Sequence, residues 1–123
     1  MKKLKKFIPF RKKHPQVAVI KLAGVIAASS SLRKGLNLQS IETHLHDAFS
    51  NKRTTAVALV VNSPGGSPVQ SDLIQKRVRD LGKEFKKPIF VFCEDVAASG
   101  GYWIDLAGDE IYANASSIIG SIV

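Results

Sequence analysis

The most constraining feature of this sequence is a set of short apolar runs separated by segments with helical periodicity. "QVAVIKLAGVI" (Gln16–Ile26) is rich in β-branched residues and breaks near Gly24, so it reads as a buried strand. "TAVALVVN" (Thr55–Asn62) and "IFVFC" (Ile89–Cys93) are apolar runs of strand length with polar flanks, and "EIYA" is a fourth, short strand. Between the first two runs, Leu38, Ile41, Leu45, Ala48 and Phe49 recur at spacings of three and four. That pattern predicts an amphipathic helix to about Ser50, with Asn37 as its cap. Val69, Leu73, Ile74, Arg77, Leu81 and Phe85 mark a second helix, from about Val69 to Phe85, which Pro88 stops. "SGGYWIDLAG" suggests a short third helix ending at Gly108. The order β-α-β-α-β-α-β implies parallel strands joined by crossover helices, an α/β fold.

Sites in such sheets gather at the carboxyl ends of the strands. Two glycine motifs sit there, "NSPGG" after the second strand and "EDVAASGG" after the third, over thirty residues apart. In the first, Pro64 fixes φ while Gly65 and Gly66 allow positive φ and close approach of a ligand. A backbone N–H in such a turn can serve as an oxyanion donor, and a plain strand-to-helix turn would look the same. In the second, Ala98 and Gly100 leave room around Ser99, which alone could cap a helix. The pattern is not G-x-S-x-G, since position 97 is Ala. With both motifs on one sheet edge, nucleophile becomes the better reading of Ser99.

A serine nucleophile needs a base. His14, His44 and His46 all precede Ser99, and none falls beside a strand end in this layout. Every lysine lies at or before Lys87, and only Lys21 has an apolar setting, so no convincing base emerges. Cys93 is the single cysteine; it rules out an internal disulfide and reads as a buried, inert thiol. No zinc-type spacing occurs, and no metal or organic cofactor is implied. Asp95 and Asp105 read as solvated or capping residues, and Tyr102, Trp103 and Ile104 as packing for the short helix.

The net charge of +8 is unevenly placed: seven of eighteen Lys and Arg lie in residues 1–13, which carry no acid. The chain therefore divides into a basic N-terminal arm, residues 1–15, and one domain, residues 16–123. A basic arm on a nearly neutral body argues against a nucleic-acid-binding domain. Leu4, Phe7, Ile8 and Phe10 among the lysines would suit an anionic membrane surface. The arm lacks the apolar core of a signal peptide, and no window is apolar enough to span a membrane.

"VNSPGGSPVQSDLI" followed by "KKPIFVFCEDVAASGGYWIDLAGDEIYANASSIIGSI" resembles the signal peptide peptidase A family, the SppA/SohB serine peptidases, over about residues 16–123. The resemblance implies a crotonase/ClpP-like fold of stacked ββα units with a mostly parallel sheet, here truncated. It implies a Ser–Lys dyad endopeptidase that cleaves signal-peptide remnants or other hydrophobic or unfolded peptides. Ser99 matches the family nucleophile, and Gly65, Gly66 and Gly100 match its oxyanion donors. The family's general-base lysine is expected beyond Val123. The apolar run "SSIIGSIV" predicts self-association, a homo-oligomer, and the basic arm, where many family members carry a membrane-spanning anchor, suggests a location in the cytoplasm or on the cytoplasmic membrane face. Two rivals stand beside this reading: an inactive, truncated oligomerisation or binding module, and a crotonase-type acyl-thioester enzyme.

Overall fold

The computed structural model describes residues 14–28 and 34–121. The basic arm lies almost wholly outside the described residues. Among the described residues, five strands and three helices follow one another as β1 (Gln16–Ala23), α1 (Leu38–Ser50), β2 (Thr54–Ser63), α2 (Pro68–Phe85), β3 (Ile89–Ala98), α3 (Gly100–Asp105), β4 (Glu110–Ala113) and β5 (Ile118–Gly120). Strands β1 to β4 lie side by side in sequence order, all parallel, and β5 pairs with the far end of β3. This is the α/β architecture that the alternation of runs predicts.

Each helix forms for a legible local reason. Asn37 caps α1 by accepting from the Ser40 N–H, and the Ser40 hydroxyl oxygen accepts the Asn37 N–H in return, closing a capping box. Ser67 caps α2 and Pro68 occupies its first turn, where a missing N–H costs nothing. Lys86 then ends α2 in the left-handed conformation at φ 54°.

Both long helices cover one face of the sheet. Val57, Leu59 and Val61 alternate along β2 toward them and are fully buried with Leu45 and Phe49 of α1 and Ile74, Val78 and Leu81 of α2. The opposite face follows the other parity: Val17 and Val19 pair with Ala56 and Ala58, and Phe92 pairs with Val60 and Tyr112. Val17, Val19, Phe92 and Tyr112 are exposed, the last two stacked at 5.3 Å. Among the described residues, no helix is long and apolar enough to cross a membrane.

Three details differ from the sequence reading. Strand β3 runs on through "EDVAA" to Ala98, because its backbone keeps partners there: Ser63 pairs Ala97, and Asn62 Oδ1 accepts the Val96 N–H at 3.2 Å. The run "SSIIG", which carries no turn signal, supplies β5 against Val96–Ala98. The buried stripe of α2 is Ser71, Ile74, Val78 and Leu81, while Val69 and Leu73 are exposed. Hydrophobicity favours Val69 and Leu73, but α2 packs on the start of α3 through Ser71, whose hydroxyl would lie 2.2 Å from a Cβ on Gly100.

Candidate active site

The turn after β2 is clamped from both sides. Ser63, fully buried, donates its hydroxyl to the Gly24 carbonyl at 2.7 Å and accepts the Gly65 N–H at 3.1 Å. The Ile26 N–H donates to the Gly65 carbonyl at 2.9 Å, and the Ser67 N–H donates to the Ile26 carbonyl at 2.7 Å. Gly66 sits between these bonds at φ 143°, where an added Cβ would lie 2.0 Å from the Ile26 oxygen. Only glycine fits there.

The second motif meets this turn directly. A Cβ on Gly65 would lie 2.8 Å from the Ser99 Cβ and 2.9 Å from the Gly100 nitrogen. Ser99 joins β3 to α3 at φ 53° and ψ −121°, a conformation that non-glycine residues rarely adopt. Its N–H donates to the Gly120 carbonyl at 2.7 Å, so β5 helps to hold the residue in place. The Ser99 hydroxyl makes no capping bond to α3. Strained backbone that positions an uncommitted hydroxyl points toward function, since a simple cap requires neither feature. The Gly65 N–H is already donated to Ser63; among the described residues, the N–H groups of Gly66 and Gly100 find no backbone acceptor.

A cavity of about 330 Å³ opens beside Ser99, lined by Gly66, Pro68, Ser71, Asp72, Gly100 and Trp103. Trp103, read from the sequence as packing, is half-exposed there, and its indole N–H donates to Asp72 Oδ1 at 3.2 Å. Asp72 Oδ2 pairs with Lys76 Nζ at 2.8 Å. Lys76, and then the indole, hold the Asp72 carboxyl below its ordinary pKa. Asp72 escaped the sequence reading because a carboxylate in a helix's first turns is common and carries no motif.

Among the described residues, no histidine or lysine lines this cavity. Lys21, the lysine with the apolar neighbours in sequence, extends away from the buried face of β1 and is 69% exposed, with Glu94 4.0 Å away. His46 packs edge-on against Phe85 at 5.8 Å, far along α2 from the site.

Behind the site lies a buried pair. Asp105 is 0% exposed, which corrects its reading as a solvated or capping residue. The last turn of α3 faces β3, so the Asp105 side chain enters the core and its Oδ2 accepts the Cys93 thiol at 3.0 Å. Oδ1 has no partner. Burial raises the Asp105 pKa to about 6, and burial with the adjacent carboxyl pushes the Cys93 thiol up to about 12. The thiol thus stays protonated and unreactive at neutral pH.

A serine held at positive φ on a strand–helix junction, against a glycine turn from the neighbouring strand, brings a hydroxyl and backbone N–H donors to one sheet edge, the two elements that nucleophilic acyl chemistry requires. Residues 82–122 match the model of peptidase family S49. Over 107 residues the chain is 37% identical to Protease 4 of Haemophilus influenzae, covering 87% of this chain and 17% of that protein. It is 29% identical over 111 residues to the chloroplastic serine protease SPPA of Arabidopsis thaliana, covering 87% of this chain and 16% of that one. It is also 54% identical over 122 residues to a protein of Brucella melitensis named Na(+)/H(+) antiporter NhaA, covering 97% of this chain and 17% of that protein. The chain thus spans about one sixth of the length of these relatives. These matches support reading the chain as an SppA-like fragment of the S49 peptidase family.

Proposed function

We propose that this chain supplies the nucleophile and the oxyanion donors of a Ser–Lys endopeptidase acting on signal-peptide remnants or other hydrophobic, unfolded peptides. The observation that carries the reading is Ser99, at φ 53° with a hydroxyl that does not cap its helix, in contact range of the Gly65–Gly66 turn. Ser99 Oγ attacks the scissile carbonyl carbon, and its proton passes to a lysine amine supplied by the complete protein outside the described residues. The N–H groups of Gly66 and Gly100 stabilise the resulting oxyanion; each such donor is worth about 3–4 kcal/mol in related sites. Expulsion of the protonated amine leaves an acyl-ester on Ser99, which a lysine-activated water hydrolyses.

The test is a fluorophosphonate probe and an unfolded test protein, applied to the complete protein and its Ser99→Ala variant. Labelling and turnover that both vanish in the variant support the reading. Turnover that survives Ser99→Ala favours a crotonase-type enzyme, which uses the glycine turns without a nucleophile. Absence of any turnover in the complete protein favours a binding module. The same proposal includes self-association and contact of the basic arm with the cytoplasmic face of an anionic membrane. Co-sedimentation with vesicles containing phosphatidylserine, lost when the arm's lysines are neutralised, checks the contact; it should weaken with salt.

A further inference from the structure

The pair Asp72–Lys76 has no part in the chemistry above, yet Asp72 lines the cavity beside the nucleophile. A carboxylate in that place, left alone, would attract a cationic side chain of the substrate. It is not left alone. Its Oδ1 accepts the Trp103 indole N–H and its Oδ2 holds the Lys76 ammonium one helical turn further on. Lys76 itself does not line the cavity, so it reaches Asp72 from outside. The remaining lining is glycine backbone, the Pro68 ring, the Trp103 indole and the Ser71 hydroxyl, which is already donated to the Ser67 carbonyl at 2.7 Å.

We propose that Lys76 acts as a built-in counter-charge that makes the subsite beside Ser99 neutral, so that it selects uncharged peptide side chains next to the scissile bond and rejects basic ones. Asp72 then serves to fix the Trp103 wall, and Lys76 determines specificity without touching the substrate. This rests on the peptidase reading above. The pair is exposed, at 67% for the Lys76 side chain and 38% for Asp72, so its influence is a matter of a few-fold.

The experiment uses the complete protein and quenched-fluorescence peptides built on one cleaved sequence, with Leu, Lys or Glu at each of the two positions flanking the cut. Wild type should favour Leu at one of these positions. Lys76→Met keeps the apolar stem and frees the Asp72 charge; it should raise kcat/KM for Lys relative to Leu by about three- to five-fold. Asp72→Asn should reverse the sign, with the Lys76 cation raising kcat/KM for Glu relative to Leu by a similar factor over wild type. A role limited to holding Trp103 would lower all three substrates together. Ratios that stay within two-fold of wild type in both variants, with turnover intact, overturn the inference alone. Loss of Ser99-dependent turnover in wild type overturns the peptidase reading and this inference with it.

Discussion

Replacing Asp105 by Asn should flatten the pH dependence of folding on the alkaline side of pH 4. In the native structure Asp105 has no solvent exposure, one weak donor in the Cys93 thiol, and an oxygen with no partner. Its pKa accordingly rises from the ordinary 3.8 to about 6. A raised native pKa means that the folded state holds the proton more tightly than the unfolded chain does. Asp105 therefore costs nothing well below pH 4; the cost grows as pH climbs from about 4 to 6 and is complete near pH 7. A rise from 3.8 to about 6, at 1.36 kcal/mol per pKa unit, corresponds to about 3 kcal/mol. Between pH 4 and pH 7.5, where part of the cost is already present at the lower limit, wild type should lose about 2–3 kcal/mol that Asp105→Asn does not. Urea unfolding at several pH values, followed by the fluorescence of Trp103, the chain's single Trp, measures this difference. Any imperfect bonding of the amide is an offset constant with pH, and it cancels. Glu42 and Asp72, whose pKa values are lowered by their partners, contribute with the opposite sign and equally in both proteins. Parallel stability profiles for the two proteins would refute the argument that Asp105 carries a buried charge at neutral pH.

Two further substitutions separate strong constraints from weak ones. Gly66→Ala places a Cβ 2.0 Å from the Ile26 oxygen at φ 143°, so the turn must open. A loss of at least about 2–3 kcal/mol is expected, read as a clear fall in Tm, together with loss of fluorophosphonate labelling at Ser99. Arg77→Ala removes a two-pronged ion pair to Glu42, with bonds of 2.8 and 2.9 Å. Both partners are about one-third exposed, so the loss should stay below about 1 kcal/mol and shrink further in high salt, as urea titrations at two ionic strengths would show.

Local rules made much of this fold legible. The α1 boundaries, its Asn37 cap, the start of α2 to within a residue of Val69 and the apolar runs of β1 and β2 all follow from periodicity and capping, because those effects act over a few residues. The end of β3 was not legible, since Glu94 and Asp95 are carried in the strand by the pairing of their neighbours, Cys93 with Val61 before them and Val96–Ala98 with β5 after them. Nor was β5, three residues whose pairing depends on a strand about twenty residues earlier. At the site, both glycine motifs stand out in the sequence. Asp72, Lys76 and the burial of Asp105 do not, because each is defined by a neighbour from another element.

The sequence by itself determined the alternation of strands and helices, the placing of "NSPGG" and "AASGG" at one sheet edge, and the resemblance that named Ser99. These depend on residue types at short spacing, which the chain carries wherever it folds. Only the tertiary structure decided that Gly65 abuts Ser99, that the Gly65 N–H is committed to Ser63 while those of Gly66 and Gly100 have no described backbone acceptor, and that an aspartate lies in the core behind the nucleophile. Those facts come from packing between segments distant in the chain. Whether a polar group is free, paired or buried is a property of its surroundings, and no short stretch of sequence contains them.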